Sequence, residues 1–215
     1  MRRSTRPLVG LFIALFLLAV ATGAAQAGGG HGQGGPGKKV VVGPGQSIQA
    51  AVDAAKPGTT IYVFGTHREN VAITTDGITL IGVHAILEPA QTPTQNACFD
   101  PTTPDDVNGF CVLGDVDFDT GVVNREVRNV TIEGFTIRGF SDSGIVAFGA
   151  HNATFAHNVA EDNDEYGITA LTSTGTQMLH NKASDGGRPA STWANRPTPA
   201  RRCSGTRAST TSSAS

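Results

Sequence analysis

Two carboxylic acids of this chain could form a catalytic pair. Asp142 and Glu165 lie 23 residues apart, and 23 residues is also the period of an internal repeat described below. If successive repeats stack as coils, the two carboxyl groups would be roughly 5 Å apart, a separation that suits a retaining glycosidase. The alternative is that both are solvated turn residues beside Asp162 and Asp164.

Arg138 is a second residue that could do chemistry. A polysaccharide lyase needs a positive group to neutralise a uronate carboxylate and a base to abstract the adjacent proton, and Arg138 is the candidate for that base. The same 23-residue offset places Glu161 over Arg138. An ion pair between neighbouring coils is therefore the competing interpretation.

An acidic segment resembles a calcium-binding loop in its spacing. Asp115, Asp117 and Asp119 alternate along the chain, and Glu126 is the twelfth residue when Asp115 is counted first. Such carboxylate spacing predicts calcium, but Thr120 stands where that loop needs glycine and no helices flank it. The alternative is a strand with a solvated acidic face.

Two histidines repeat at the same interval. His157 and His180 are 23 residues apart and could stack as a metal-binding pair. Surface histidines that stack without binding metal are the alternative.

The elements that must position these residues come from the repeat itself. Segments beginning at Val130, Ala153 and Thr176 align with one another. The aligned positions include Ile132, Phe155 and Met178; Ile137, Ala160 and Ala183; and Asn158 with Asn181. A repeat this short cannot bury its apolar face alone, so the coils must stack as parallel strands, with the asparagines hydrogen-bonding along their column.

The repeats are preceded by one helix and then by strands. Ile48, Ala51, Val52 and Ala55 share a face at helical spacing, and Ser47 can cap the helix. Strands are predicted at residues 60–64, 71–73 and 77–82. The helix is expected to cap the first coil.

Two irregular segments interrupt the repeat, at residues 83–108 and 115–127. Loops that project from a rigid coil are common places for binding and catalytic sites.

Both ends of the chain differ from its centre. Residues 1–27 have a basic start, an apolar run and an Ala25-Gln26-Ala27 cleavage signal, which predict a signal peptide. Residues 28–39 are a glycine-rich linker, and residues 188–215 are predicted to be a disordered tail, with a frameshift or a gene-model error as its hypothesised origin. The expected location is secreted or extracytoplasmic, with no membrane contact after cleavage.

The predicted export determines which oxidation state is expected for the cysteines. Cys98 and Cys111 lie in the regular part of the chain, and a disulfide between them can persist outside the cytoplasm. Two free buried thiols are the alternative. Cys203 lies in the predicted tail.

The charge distribution argues against a nucleic-acid partner. Residues 28–187 contain eight Lys and Arg against eighteen Asp and Glu, a formal net charge of −10. Phosphate contacts need a basic face, so cations or neutral surfaces fit better.

Residues 47–63, residues 76–82 and the 23-residue repeat together resemble the pectate-lyase-like right-handed parallel β-helix proteins of bacteria. The resemblance covers residues 40–187. It implies an all-β right-handed parallel β-helix solenoid with an N-terminal capping helix, here truncated at its C-terminal end.

The resemblance also implies contact with carbohydrate. The expected function is a secreted protein that binds or cleaves polysaccharide, as a polysaccharide lyase or a glycoside hydrolase, with calcium as the candidate cofactor. The alternative is a non-catalytic surface, binding or assembly module, of the kind that includes metal-accessory proteins. Fold alone does not choose among these.

Overall fold

The structure of the protein is a computed structural model, and it describes residues 37–184. The predicted signal peptide, most of the linker, the tail and Cys203 lie outside the described residues. Within them the chain forms α1 (Ile48–Asp53) and the strands β1 (Lys39–Val42), β2 (Thr60–Arg68), β3 (Val71–Ile73), β4 (Thr79–Glu88), β5 (Phe110–Leu113), β6 (Asp115–Asp117), β7 (Val122–Arg125), β8 (Val127–Arg128), β9 (Thr131–Arg138), β10 (Ile145–Phe148), β11 (Ala150–His151), β12 (Thr154–Ala156), β13 (Val159–Glu161), β14 (Ile168–Leu171), β15 (Gln177–Leu179) and β16 (Lys182–Ser184).

The strands stack into a parallel solenoid. The first sheet runs in the order β1-β2-β4-β9-β12-β15, with β13 beside β9 and β16 beside β13. The second sheet runs β14-β10-β5-β3, and β8 pairs with β11 in a third. Except for the antiparallel hairpin of β6 and β7, all of these pairings are parallel. The predicted all-β parallel solenoid is confirmed.

The strand register follows the repeat. Ile132, Phe155 and Met178 are register partners on β9, β12 and β15. Ile137, Ala160 and Ala183 are likewise register partners, on β9, β13 and β16. The 23-residue period is therefore the length of one coil in this part of the chain.

The corners of the coils are columns of left-handed backbone. Asn129 and Asn152 have φ values of 56° and 54° and lie in one column, while His157 and His180, at 54° and 53°, lie in another. Residues other than glycine adopt this conformation rarely. The other coils have glycine at these corners, apart from one further histidine. The first column contains Gly58, Gly77 and Gly175, and the second contains Gly65, His84 and Gly134.

The helix closes the N-terminal end as predicted. Ser47 caps α1 by accepting a hydrogen bond from the Ala50 amide, and Ile48 and Val52 are buried in the core. The Gln49 side chain accepts from the amide of Ala72 at 2.7 Å and donates to its carbonyl at 3.1 Å. The first edge of the second sheet is therefore paired with a side chain instead of a strand.

Asn158 lies at the centre of the predicted asparagine column. Its side-chain oxygen accepts from the Phe135 amide at 3.1 Å, and its side-chain nitrogen donates to the Ile132 carbonyl at 2.9 Å. The Asn181 oxygen accepts from Asn158 in turn. Asn163 makes the same pair of bonds, to Phe140 and Ile137, which the repeat analysis did not identify.

The two irregular segments have different structures. β4 continues to Glu88, so the first interruption is shorter than predicted and comprises residues 89–109. Cys98 and Cys111 are joined in a disulfide with an S–S distance of 2.09 Å, and Asn70 holds the same loop by bonding both backbone groups of Thr94. The second interruption is the β6–β7 hairpin. No helix within residues 37–184 has the length and apolarity needed to cross a membrane.

Candidate functional site

Asp142 and Glu165 occupy equivalent positions on neighbouring coils. The Glu165 amide donates to the Asp142 carbonyl at 3.0 Å, so the predicted stacking is present in the backbone. The Asp142 carboxylate accepts a hydrogen bond from the Ser143 hydroxyl at 2.8 Å, and the Glu165 side chain is exposed. The two carboxylates thus lie on the same turn column at the solvent surface.

Arg138 belongs to a column of alternating charge. Its guanidinium donates to Glu88 at 2.9 and 2.7 Å, and Glu161 lies 3.9 Å away on the other side. Arg68 also contacts Glu88, at 2.7 Å. The predicted proximity of Arg138 and Glu161 is present, but Glu88, fifty residues away in sequence, is the stronger partner.

These contacts make Arg138 a poor base. The hydrogen bonds and the negative charge of Glu88 raise the pKa of Arg138 above its ordinary value, and the charge of Glu161 acts in the same direction. A guanidinium held between two carboxylates keeps its proton. These contacts favour the ion pair between neighbouring coils, which was the competing interpretation of Arg138, over the lyase base.

The four carboxylates of the calcium hypothesis do not converge. Asp117 accepts from the amides of Asp119 and Thr120 at 2.9 and 3.0 Å, and these bonds, with Thr120 contributing most, lower the pKa of Asp117. Asp115 faces Arg125 across the hairpin, and Glu126 contacts Arg128.

Asp115 and Asp117 lie on β6, and the Asp117 carboxylate accepts its hydrogen bonds from the backbone of the hairpin turn. In residues 37–184 no three His, Cys, Asp or Glu side chains are placed to hold a metal ion. The spacing of a calcium loop is present here without its fold.

The repeated histidines stack. The rings of His157 and His180 are 5.0 Å apart between centroids, with an angle of 16° between their planes. Both are exposed at a corner of their coils. Within the described part of the chain, a third metal ligand does not accompany them.

A different group of residues forms an open groove beside the β6–β7 hairpin. We call it the hairpin groove. It has a volume of about 420 Å³ and is lined by Asp76, Val123, Asn124, Arg125, Glu126 and Arg128. Asp76 comes from the turn after β3, and the others come from β7, β8 and the residue between them.

Ion pairs and hydrogen bonds organise the walls of the hairpin groove. Asp76 accepts from the Arg128 amide at 3.1 Å and lies 3.8 Å from the Arg125 guanidinium. Arg128 contacts Glu126 at 3.2 Å. The two arginines and two carboxylates leave the groove without net charge.

One wall continues onto the next coils. The second oxygen of Glu126 accepts from the Thr174 hydroxyl at 3.4 Å and lies 3.9 Å from a ring nitrogen of His151. That nitrogen is 2.7 Å from the same hydroxyl. The groove is thereby connected to the rigid β8–β11 column instead of resting on the hairpin alone.

The sequence predictions include the segment that forms most of this groove, but only one of its residues. Glu126 was a candidate, as a calcium ligand, and the hairpin lies in the predicted interruption at residues 115–127. Asp76 and Arg128 are 52 residues apart across an interrupted repeat, and no pattern in the sequence links them.

Comparison with known proteins identifies the fold. The family model for a right-handed β-helix region matches residues 58–207, which is more than half of the chain. The match begins before β2 and extends into the segment predicted to be a disordered tail. No curated protein and no solved structure gives a significant match.

Proposed function

This chain belongs to the right-handed β-helix family, and from that premise we propose that it binds carbohydrate in the hairpin groove. The observation that supports the proposal is an open, polar groove of about 420 Å³ built on a rigid coil. Its volume falls within the range of small-ligand sites. The partner we propose is an extracytoplasmic polysaccharide.

The groups that line the hairpin groove suit sugar hydroxyls. Carboxylates, an amide and guanidinium groups offer paired donors or acceptors in one plane, and vicinal hydroxyls can satisfy both members of such a pair. The groove has no net charge in a strongly acidic domain. A neutral sugar segment therefore meets less repulsion there than an anionic one.

Substitution of the two groove arginines tests this proposal. We expect Arg128→Ala to weaken glycan binding by about 10- to 100-fold, since a hydrogen bond from a charged group contributes about 1.5–3 kcal/mol. The measurement is binding of the full chain to a panel of neutral and acidic polysaccharides by calorimetry, with Arg125→Ala as a second variant.

Arg68→Ala is the matched control, because Arg68 also pairs with a carboxylate but lies on the first sheet. It should leave affinity unchanged. Equal loss in Arg68→Ala and Arg128→Ala, or no binding of any glycan by the unaltered chain, would rule out the hairpin groove as a carbohydrate site.

A second candidate function is glycoside hydrolysis by Asp142 and Glu165. The observation that favours it is their position on neighbouring coils, with a direct backbone hydrogen bond between them. In this interpretation one carboxyl protonates the leaving group and the other attacks the anomeric carbon.

If hydrolysis occurs there, Asp142→Asn and Glu165→Gln should each lower it by about 10²- to 10⁴-fold, measured as new reducing ends from polysaccharide. Asp164→Asn, an exposed neighbour, should have no such effect. Unsaturated products in the same assay would instead indicate a lyase, and hydrolysis that survives both substitutions would remove this pair from consideration.

A further inference from the structure

His67 is a buried histidine whose two ring nitrogens both face carbonyl oxygens. Nδ1 is 3.0 Å from the Gln46 carbonyl, and Nε2 is 3.0 Å from the Phe64 carbonyl. His67 lies on β2 and is 4% exposed. Gln46 belongs to the segment that leads into α1, so the ring joins the first long strand to the N-terminal cap.

Carbonyl oxygens accept hydrogen bonds and cannot donate them. A neutral imidazole has one N–H and one lone pair, so it can satisfy only one of these two contacts. The other nitrogen would direct its lone pair at a carbonyl oxygen, which is repulsive. Both contacts are hydrogen bonds only when both ring nitrogens carry a proton, which is the positively charged form of the ring.

The counter-charge is Glu69. Its carboxylate lies 3.9 Å from Nδ1 of His67 and is itself buried. Glu69 accepts from the Ser47 hydroxyl at 2.8 Å and from the amides of Ile48 and Gln49 at 2.7 and 3.1 Å. Three donors from the start of α1 thus bind the Glu69 carboxylate.

We call residues 43–47 and α1 together the cap. We infer that His67, as an imidazolium, and Glu69 form a lock that holds the cap on the first coil, and that loss of the His67 proton opens the lock. The lock spans the Gln46 carbonyl on one side and the start of α1 on the other. This inference is independent of carbohydrate binding.

No other charged group in residues 37–184 is placed to share this role. On β4, the register partner of His67 is the buried Leu87. The segment 43–47 has no charged side chain. On α1, the Asp53 carboxylate accepts from the Gln49 side chain at 2.7 Å.

The direction of the pH effect follows from the protonation state. Because both ring contacts need a proton, the closed cap is favoured while His67 is charged and is disfavoured when the ring is neutral, so we expect the cap to weaken as pH rises. Histidine is the side chain that ordinarily titrates near neutral pH. Loss of the proton leaves Glu69 buried beside a neutral ring in the closed cap, which disfavours the closed cap further.

Opening would also free the sheet edge that the cap covers. Gln49 is bonded to both backbone groups of Ala72 on β3, and it moves with α1. A released cap therefore exposes the apolar side chains of Ile48 and Val52 together with an unpaired strand edge.

The experiment is NMR on the isotopically labelled full chain between pH 5.5 and 8.5. We expect the ring nitrogens of His67 to show two N–H groups at the acidic end. Protection of the Ile48 and Gln49 amides against hydrogen exchange, corrected for the intrinsic rate, should fall at least tenfold as His67 loses its proton. The protection of core amides, such as that of Ile132, should not fall over the same pH range.

Two variants complete the test. His67→Gln should abolish the pH dependence of protection at Ile48 and Gln49, whereas His84→Gln, at an exposed histidine on β4, should retain it. Two results would overturn the inference without any variant. One is a His67 ring with an unprotonated nitrogen across the whole pH range; the other is protection of the Ile48 and Gln49 amides that stays constant while His67 loses its proton.

Discussion

Replacing Asn158 by alanine is expected to lower the free energy of unfolding by about 2–5 kcal/mol. The side chain is completely buried and satisfies the Phe135 amide on one side and the Ile132 carbonyl on the other. Its removal leaves both groups buried without partners, at a cost of about 1–3 kcal/mol each. Urea denaturation followed by circular dichroism measures the change.

The matched control is Asn124→Ala. Asn124 is exposed on β7, and its side chain makes one long hydrogen bond, of 3.5 Å, to Asp115. We expect a change within about 0.5 kcal/mol. Losses of similar size in the two variants would show that the asparagine column does not stabilise the coil in the way described.

The second large effect is expected at Phe135. Phe135→Ala should destabilise the protein by about 3–5 kcal/mol, because it removes a ring from a close-packed interior and leaves a cavity. The ring is 1% exposed and meets Phe110 edge to face across the solenoid, with 4.9 Å between centroids. Thermal and urea unfolding both report the loss.

Phe118→Ala tests whether burial, and not aromatic contact alone, produces this effect. Phe118 also meets a second ring edge to face, that of Phe148, but it is 64% exposed at the hairpin. Its loss should cost less than about 1 kcal/mol. A Phe135→Ala variant as stable as Phe118→Ala would contradict the packing argument.

Much of the solenoid could be predicted from the sequence, because a repeat with constant period is a direct record of strand register. Ile132, Phe155 and Met178 were aligned from the sequence and are partners in space. The helix was equally accessible, since its cap and apolar face are local signals.

The contacts that cross the irregular segments could not be predicted. Glu88 meets Arg138 because β4 and β9 pair directly, although the residues between them include the 89–109 loop and the hairpin. The period cannot be followed through insertions of unequal length. The hairpin groove escaped prediction for the same reason, since Asp76 and Arg128 lie on either side of these insertions.

The predicted calcium site shows that the spacing of ligands along the sequence does not fix their positions in space. Asp115, Asp117, Asp119 and Glu126 have the intervals of a calcium loop, but they lie on and beside an antiparallel hairpin, and in residues 37–184 no three such side chains are placed to hold a metal ion. A ligand spacing predicts a site only when the backbone between the ligands has the conformation that the spacing assumes.

The aligned corners of the coils give this chain a natural unit of evolutionary change. Since the coils turn in shared columns of left-handed residues, duplication of one 23-residue unit adds a rung of about 4.8 Å and preserves the register of its neighbours. The two longer insertions, residues 89–109 and the β6–β7 hairpin, leave the coil. Gene duplication can therefore lengthen the scaffold, while smaller insertions between coils change the surface that it presents.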